Sequence, residues 1–448
     1  MAQLEILNTL DENDIDFHDQ ESLYGSHNFH SFPAKFPPQL PKKFILALTK
    51  PGDIILDPMN GSGTTTLEAR FAGRIGIGLD IDPLAILISK VKITHIPQVK
   101  AYDYGLKILR NARVNYSSKI MDLEQALERR WDEQTKEFVD YWFTRDIQLE
   151  LLALILEIEK IENQALRDFF KLAFSAIVIT KSGGVSLALD LAHTRPHKAK
   201  LIISKEGKVV VGNPDVDPRK VPLVKKLRSP LEEFEKRLKT NVKGLIKSYE
   251  DSANPTILFG NAQSMPIDSS SVDLIITSPP YASNAIDYMR AHKFSLVWLG
   301  YKLSHLSQKR GKYIGGEGFG AIPLNGLPVF TTSVIKDIME MDKKKGNSIH
   351  RYYCEMVFAL KEMYRVLKPG KTAIVVVGSS VMRGRDTETH HCLIDIGKSI
   401  GFEVPYLGVR KLDRNRRMMP ASFIINQNSQ IQQRMHEEYV LGLWKPYS

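Results

Sequence analysis

Short apolar runs, each followed by a turn rich in glycine or proline, appear near both ends of the chain. Runs of this length that are rich in Ile, Val and Leu are typical of buried strands. Between the first two runs, apolar residues recur at helical spacing, which predicts a helix there. Strands that alternate with helices predict a doubly wound, open α/β sheet. The runs are at 53–57, 74–80, 256–259, 271–276 and 372–377.

The middle of the chain has a different pattern. Residues 141–161 and 163–179 carry apolar side chains at helical spacing, with Glu and Lys between them. Residues 200–211 predict a hairpin, because two β-branched runs flank a Glu-Gly turn. Further helices are predicted at 39–48, 83–91, 285–299 and 352–366, with one more helix and two or three strands after residue 390.

These patterns divide the chain into two parts of one α/β domain and an insertion. We expect the domain to comprise residues 1–100 and 251–448, and the insertion to comprise residues 101–250 and to be partly helical. Residues 301–348 are rich in Gly, Lys and Ser, which predicts a long mobile segment. Both 101–250 and 301–348 are candidates for a recognition region.

The turn after the first predicted strand is rich in glycine. It reads Pro-Met-Asn-Gly-Ser-Gly-Thr-Thr over 58–65, and the second strand ends on Asp80. Glycines let the backbone approach a ligand closely, and an acid at that strand end can accept hydrogen bonds from both ribose hydroxyls. A third glycine is missing at the dinucleotide offset, and Asp57 would repel a pyrophosphate but attract a cation. The pattern therefore favours S-adenosylmethionine over a dinucleotide.

A second turn, Thr-Ser-Pro-Pro-Tyr at 277–281, follows the run at 271–276. Two consecutive prolines end the strand and stiffen the loop. The Ser278 hydroxyl, the Pro279 carbonyl and the Tyr281 ring suit a flat heterocycle with an exocyclic amine. An ordinary proline-rich turn is the alternative interpretation.

Charge adds a candidate partner. The 448 residues include 61 Lys and Arg against 51 Asp and Glu, a formal charge of +10. A basic balance favours an acidic partner, with nucleic acid first, and a solvated basic surface is the alternative. A basic stretch at 219–247 is a candidate for phosphate contacts. The candidate contact residues are Lys225, Lys226, Arg228, Lys309 and Arg310.

The two cysteines, Cys354 and Cys392, form neither a disulfide framework nor a zinc spacing, so a reducing compartment and no metal are expected. The start has no secretory pattern, and no apolar run reaches the roughly 18 residues of a membrane helix. We expect a cytoplasmic protein that associates with the nucleoid while it acts on DNA, and no membrane partner.

Several of these segments resemble motifs of the DNA amino-methyltransferase family, which methylates cytosine N4 or adenine N6. Residues 57–65 resemble the cofactor motif, and residues 277–281 resemble the catalytic motif. Residues 32–37, Phe-Pro-Ala-Lys-Phe-Pro, resemble the segment that closes over the methionine end of the cofactor. Residues 366–370 resemble a turn common in class I methyltransferases. Together the resemblance covers roughly 25–95 and 255–385.

The resemblance implies a class I S-adenosylmethionine-dependent methyltransferase fold and a set of site residues. Two positions depart from the family pattern: Met59 stands where Phe is usual, and Asn261 where Asp is common. The implied catalytic residues are Ser278, Pro279, Pro280 and Tyr281. The implied cofactor residues are Phe32, Lys35, Asp57, Met59, Gly61, Gly63, Thr64, Asp80, Asn261 and Ala262.

The Ser-Pro-Pro-Tyr form leans towards cytosine N4 in this family, so the resemblance implies a site-specific cytosine-N4 DNA methyltransferase. Its partners would be double-stranded DNA and a cognate restriction endonuclease. No cysteine is positioned for attack on the ring, which argues against C5 chemistry. Adenine N6 is the alternative target, and an RNA or protein methyltransferase would share the fold. A non-catalytic nucleic-acid-binding protein is the third alternative.

Overall fold

The structure is a computed structural model in which helices, strands and the loops between them are described for most of the chain. The described residues are 3–10, 15–32, 35–180, 184–189, 191, 196–215, 217, 224–246, 254–282, 288–315, 326–378, 381–382, 385–412 and 437–447. The helices are α1 (Gln3–Thr9), a 3-10 turn (Gly25–Asn28), α2 (Gln39–Leu48), α3 (Thr64–Phe71), α4 (Pro83–Ile93), α5 (Gln98–Ser118), α6 (Ile120–Glu128), α7 (Glu133–Trp142), α8 (Arg145–Glu159), α9 (Gln164–Val178), α10 (Pro230–Lys243), α11 (Tyr288–Leu296), α12 (Leu303–Arg310), α13 (Val329–Met341), α14 (Lys343–Val366) and α15 (Thr389–Ile400). The strands are β1 (Ile54–Asp57), β2 (Ile75–Asp80), β3 (Leu201–Ile203), β4 (Val209–Val211), β5 (Val224–Lys226), β6 (Thr256–Phe259), β7 (Val272–Thr277), β8 (Leu367–Gly378), β9 (Val381–Met382), β10 (Arg385–Asp386), β11 (Glu403–Lys411) and β12 (Glu437–Trp444).

The main sheet has seven strands in the order β11-β12-β8-β7-β1-β2-β6. Its pairs are parallel except those of β12, which runs antiparallel to both β8 and β11. From β1 the chain adds β2 and β6 on one side, and β7 and β8 on the other. The order therefore reverses between β1 and β7, and open α/β sheets bind ligands beyond the carboxyl ends of the strands at that point. The predicted doubly wound sheet is confirmed.

Alternate residues of the central strands face two separate cores. Ile55, Leu274 and Ile276 pack in one apolar cluster, whereas Leu56 and Ile275 pack in another on the opposite face. Successive side chains of a strand point to opposite faces, so a strand with both faces covered is apolar at nearly every position. This explains why β7 is buried along its whole length.

A helical region lies between β2 and β6 in the chain. The predicted helices at 141–161 and 163–179 correspond to α8 and α9, and the predicted hairpin corresponds to β3 and β4. Helices α5, α6, α7 and α10 pack with α8 and α9 around one large core that also includes residues of α4 and α11, whereas the hairpin packs in a separate small cluster. The basic stretch is described only at 224–246. The assignment of 101–250 to target recognition stays a prediction.

The described residues of 301–348, where the sequence predicts a long mobile segment, are largely helical, and their mobility stays a prediction. Helices α12 and α13 and the start of α14 occupy them. Val334 and Ile338 are buried and recur at helical spacing, and Asp342 caps α14 by accepting from the backbone N–H of Lys345. Because Lys, Gly and Ser are frequent in this segment, the helical spacing of its apolar residues was not recognised in the sequence. Residues 316–325 lie outside the described residues.

The other predicted helices are confirmed with shifted bounds. Helix α2 covers the predicted 39–48, and α4 covers 83–91 with two more residues. The predicted 285–299 corresponds to α11, although its first residues lie outside the described part of the chain. Among the described helices, none combines the length and the hydropathy that crossing a membrane requires.

Candidate active site

The loop between β1 and α3 depends on glycine backbone geometry. Gly61 and Gly63 have φ angles of +48° and +72°, in the left-handed region that favours glycine. The Gly63 N–H donates to the Asn60 carbonyl at 2.7 Å, which closes the turn just before α3. A Cβ atom at Gly63 would lie only 2.9 Å from Ser89 Oγ. A side chain at 63 is therefore opposed by both strain and contact.

Two acids stand at the ends of adjacent strands. Asp80, at the end of β2, accepts from the backbone N–H of Gly61 at 2.7 Å and from that of Asp82 at 2.9 Å. Burial, and then the nearby charge of Asp82, raises the pKa of Asp80 to about 7. Burial also raises the pKa of Asp57, at the end of β1, to about 6. This concentration of buried carboxyl groups suits hydroxyl donors and a cationic ligand.

A third acid, Asp82, is paired with His292, which was not among the predicted site residues. Its carboxylate lies 2.6 Å from His292 Nδ1 and also caps α4 by accepting from the Leu84 N–H at 2.7 Å. Burial opposes the charge of Asp82, but His292 and the capping N–H groups outweigh that effect and hold its pKa below the usual value. The N-cap was visible in the sequence as Asp-Pro, whereas its partner lies far along the chain.

Aromatic residues form one wall above the glycine loop. The Phe32 ring stacks on Tyr288 with 5.1 Å between centroids and also lies beside His292. A Cβ built at Gly61 would lie 3.1 Å from the Phe32 ring, so ring and loop are in close contact. Nearby, the Lys35 ammonium donates to the His27 carbonyl at 2.9 Å. The neighbouring residues 33–34 of the predicted closing segment lie outside the described residues.

The proline-rich loop follows β7 at the same edge of the sheet. Ser278 and Pro280 line the space beside the glycine loop. Pro279 and Tyr281 are buried, and neither lines that space. The Tyr281 hydroxyl instead donates to Glu438 at 2.9 Å. In this conformation, therefore, the Tyr281 ring lies outside that space, and its stacking on a target base stays a prediction.

One cavity of about 430 Å³ joins the two loops. Every predicted cofactor residue except Gly63 lines it, namely Phe32, Lys35, Asp57, Met59, Gly61, Thr64, Asp80, Asn261 and Ala262. Residues outside the predicted set of site residues also line it, including Asn60, Ser62, Asp82, Tyr288, Arg290, Lys312, Tyr313, Lys345 and Met382. The acids lie at the glycine loop, and the lysines and arginines come mainly from α11, α12, the loop after α12 and α14.

Known proteins resemble this chain both in a short segment and along most of its length. The family model N6_N4_Mtase, described as DNA methylase, matches residues 8–91. The Type II methyltransferase M.MvaI of Kocuria varians is 24% identical over 419 residues, covering 87% of this chain and 85% of the relative. M.BsoBI of Geobacillus stearothermophilus is 23% identical over 431 residues, covering 84% and 78%. These matches support the predicted resemblance to the DNA amino-methyltransferases.

The similarity to DNA methylases supports the predicted cofactor, S-adenosylmethionine. It agrees with the strand order, which is that of a class I methyltransferase sheet with one antiparallel strand near its edge. A solved SAM-dependent methyltransferase from Methanosarcina mazei aligns at 11% identity and a TM-score of 0.31, covering 90% of this chain and 98% of that one. At that similarity the fold assignment rests on the topology of this chain.

The three predicted DNA-contact residues of the helical region differ in solvent exposure and in ion pairing. Lys225 is buried and its ammonium donates to the Ala188 carbonyl, so its role as a phosphate contact stays a prediction that would need this side chain to move. Lys226 is exposed on β5. Arg228 lies 3.3 Å from Glu233, so a phosphate would compete with that carboxylate.

The other two predicted contact residues, Lys309 and Arg310, lie closer to the cavity. The Lys309 ammonium lies 4.4 Å from the centre of the Phe259 ring, a cation–π contact. Arg310 lines the cavity together with Lys312 and Lys345. These last three residues form a basic rim, the name used below. Arg310 was among the predicted contact residues, whereas Lys312 and Lys345 were not. They line the same cavity because the fold brings the segment after α12 and the start of α14 to it.

Proposed function

We propose that this DNA methyltransferase transfers the methyl group of S-adenosylmethionine to the exocyclic N4 of cytosine in DNA. One observation carries the proposal. Ser278 and Pro280 from the loop after β7 line the same cavity as Asp57 and Asp80 from the ends of β1 and β2. A target base that enters beside Ser278 would thus meet a cofactor held at the glycine loop.

The acidic end of the cavity fits the cofactor's polar groups. The Asp80 oxygens already accept two backbone N–H groups, and each oxygen has a further lone pair for a ribose hydroxyl. Asp57 and Asp82 add negative charge that attracts the cationic amino-acid end. When bound, S-adenosylmethionine supplies a methyl group on a positively charged sulfur that is already a good leaving group. We assign the adenine end to Met59 and Asn261.

The loop after β7 would act on the target amine. The lone pair of an exocyclic amine is delocalised into the ring, so the nitrogen is a weak nucleophile. The Ser278 hydroxyl would accept one N–H, and the Pro279 carbonyl is the proposed acceptor of the other. Both bonds draw the nitrogen towards a tetrahedral arrangement and free its lone pair for in-line attack. The N–C bond would form as the C–S bond of the cofactor breaks, the neutral thioether would leave, and the surplus amine proton would be lost to water. Most of the acceleration then comes from holding the amine and the methyl group in line.

Cytosine is favoured over adenine because of the acceptor at 278. A neutral hydroxyl is a weaker acceptor than the Asp or Asn of adenine-modifying relatives, and this loop suits the smaller pyrimidine. Adenine N6 is the second candidate, and one relative supports it. The DNA adenine methyltransferase YhdJ of Escherichia coli is 42% identical over 59 residues, covering 13% of this chain and 20% of the relative.

The partner we propose is double-stranded DNA, and the setting is a restriction–modification system with a cognate endonuclease. The similarity to Type II methyltransferases supports this setting. A base inside a duplex cannot reach a cavity of this kind, so the target must leave the helix. The basic rim of Arg310, Lys312 and Lys345 would then contact the phosphates that flank the extruded base.

Transfer of a labelled methyl group tests whether DNA or RNA is the substrate. The protein is incubated with labelled S-adenosylmethionine and either duplex DNA or tRNA, and label on each polymer is measured. The proposal predicts label on DNA only. Label on tRNA alone would instead assign the protein to RNA.

A further inference from the structure

A short segment that follows α12 lines the cavity along most of its length. This segment, residues 311–315, is called the strap below. Lys312, Tyr313, Ile314 and Gly315 of the strap all line the cavity. Ile314 is an apolar side chain and is buried, whereas Lys312 is exposed and belongs to the basic rim. The proposed function gives Ile314 no role.

An ion pair on α14 holds both ends of the strap. Glu355 Oε2 accepts from the Gly315 backbone N–H at 2.7 Å. Arg351 donates to the Gly311 carbonyl at 3.0 Å and, through Nε, to Glu355 Oε1 at 2.8 Å. Glu355 is buried, and hydrogen bonds to ionised groups are among the stronger ones in proteins. The pair therefore holds the residues between these two bonds in place.

The same helix also holds the turn that follows β6. Glu362 accepts from the Met265 backbone N–H at 2.7 Å. It comes seven residues after Glu355, which is nearly two helical turns, so the two carboxylates lie on one face of α14, about 10 Å apart along its axis. The strap and the turn after β6 are thus bound to one face of one helix.

A contact at the end of β6 brings the two segments closer still. Lys309, two residues before the strap, forms its cation–π contact with Phe259, the last residue of β6. Ala262, a proposed cofactor residue, follows three residues later and belongs to the same apolar cluster as Ile314. Met59 packs against that cluster too. Ile314 therefore lies at the end of the cavity to which the adenine is assigned.

We propose that Ile314 is a further cofactor-binding residue that covers the adenine ring of S-adenosylmethionine, and that Arg351 and Glu355 are positioning residues that hold it there. The faces of a purine ring are flat and apolar, so an aliphatic side chain on a fixed backbone suits them. The inference rests on the proposed function, which assigns the adenine end to Met59 and Asn261.

Truncation of Ile314 tests the contact directly. Ile314→Ala should weaken binding of S-adenosylmethionine by roughly tenfold in calorimetry, because the loss of apolar contacts in a ligand pocket has effects of this size. Adenosine, which has no methionine end, should lose affinity by the same factor when it competes with labelled cofactor. Ile338→Ala is the matched control, since Ile338 is buried on α13 in the same apolar cluster but does not line the cavity. It should lower the melting temperature and leave both affinities unchanged.

Changes to the ion pair test the positioning. Glu355→Ala and Arg351→Met each remove one attachment of the strap, so each should weaken cofactor binding roughly fivefold and speed its dissociation. Glu355→Gln keeps an oxygen that can accept from the strap and should recover most of the affinity. The double variant of Glu355→Ala with Ile314→Ala should bind little worse than Ile314→Ala alone, because Glu355 acts through Ile314.

Asp395→Ala controls for the loss of a hydrogen bond of this kind. Asp395 accepts from the Thr331 backbone N–H at 3.0 Å, and neither residue lines the cavity. This variant should lower the melting temperature and bind S-adenosylmethionine and adenosine normally.

The results distinguish the inference from the proposed function. An unchanged adenosine affinity in folded Ile314→Ala would overturn the inference and leave the proposed function intact. Losses that multiply in the double variant would overturn the positioning role, because they would indicate that Glu355 and Ile314 act independently. If the unchanged protein binds no S-adenosylmethionine, the proposed function itself fails.

Discussion

The backbone N–H of Gly61 donates to the carboxylate of Asp80 at 2.7 Å. This bond connects the glycine loop after β1 to the end of β2, so the loop and the acid are held in one fixed relation. It also uses one lone pair of Asp80 and leaves others for a ligand. The close approach is possible because Gly61 has a left-handed φ and no side chain beside the Phe32 ring.

Removal of the Asp80 carboxylate should weaken cofactor binding. We expect Asp80→Ala to reduce the affinity for S-adenosylmethionine by about 1.5–3 kcal/mol, the cost of losing a hydrogen bond to a charged group. Calorimetry on the folded variant measures this. Asp53→Ala, at the opposite end of β1 where Asp53 accepts from the Lys50 N–H, is the control and should bind normally. Equal affinities in the two variants would contradict the role of Asp80.

Cofactor affinity should rise with pH. The pKa of Asp80 is raised to about 7, so in the free protein it holds a proton below that pH and loses it above. Ribose hydroxyls and a cationic ligand favour the ionised form, so binding releases a proton at pH 6 but not at pH 8. The linkage predicts roughly tenfold tighter binding at pH 8 than at pH 6. Asp80→Asn should flatten this part of the profile, and an unchanged slope would exclude Asp80 as its source.

The Ser278 hydroxyl should affect turnover rather than cofactor binding. Ser278→Ala removes an interaction that is needed mainly in the transition state, so kcat should fall by roughly 100-fold while cofactor affinity is unchanged. Ser271→Ala is matched to it, because Ser271 lies just before the same strand and its hydroxyl donates to the Asp268 carbonyl, away from the cavity. Single-turnover kinetics on both variants decides the matter. A Ser278→Ala variant with normal turnover would contradict the assigned role.

The basic rim should contribute more to DNA binding than the exposed cations of the helical region. Replacing Arg310 and Lys312 with Ala should flatten the dependence of affinity on salt by about 0.9 units of slope for each lost phosphate contact. Replacing Lys226 and Arg228 should change it less, because Arg228 already lies beside Glu233. Fluorescence anisotropy at several salt concentrations compares the pairs. A larger change in salt dependence on replacing Lys226 and Arg228 would instead assign the phosphate contacts to the helical region.

Local sequence predicted the parts of the site that lie at strand ends. The glycine loop with Asp57 and Asp80, and the proline loop with Ser278, each follow a recognisable apolar run within a few residues. Parallel strands bring their carboxyl ends to one edge of a sheet, so the shared cavity follows from adjacent strands. The order of the strands in the sheet could not be predicted from the sequence and is known only from the structure.

The missed residues are paired over long distances in the chain. His292 meets Asp82, and Glu438 meets Tyr281, although 210 and 157 positions separate them in sequence. Neither residue type nor spacing carries such a pairing, because it arises only when distant elements pack. The basic rim was hidden for a related reason: Lys345 belongs to a helix that begins nine residues before its predicted start at 352.

The most direct test of the central claim is mass spectrometry of nucleosides from duplex DNA treated with this protein and methyl-labelled S-adenosylmethionine. A catalytic loop with Ser278 as acceptor predicts the label in N4-methylcytosine. Label found only in N6-methyladenine would contradict the cytosine assignment, and DNA without label would contradict the proposed activity.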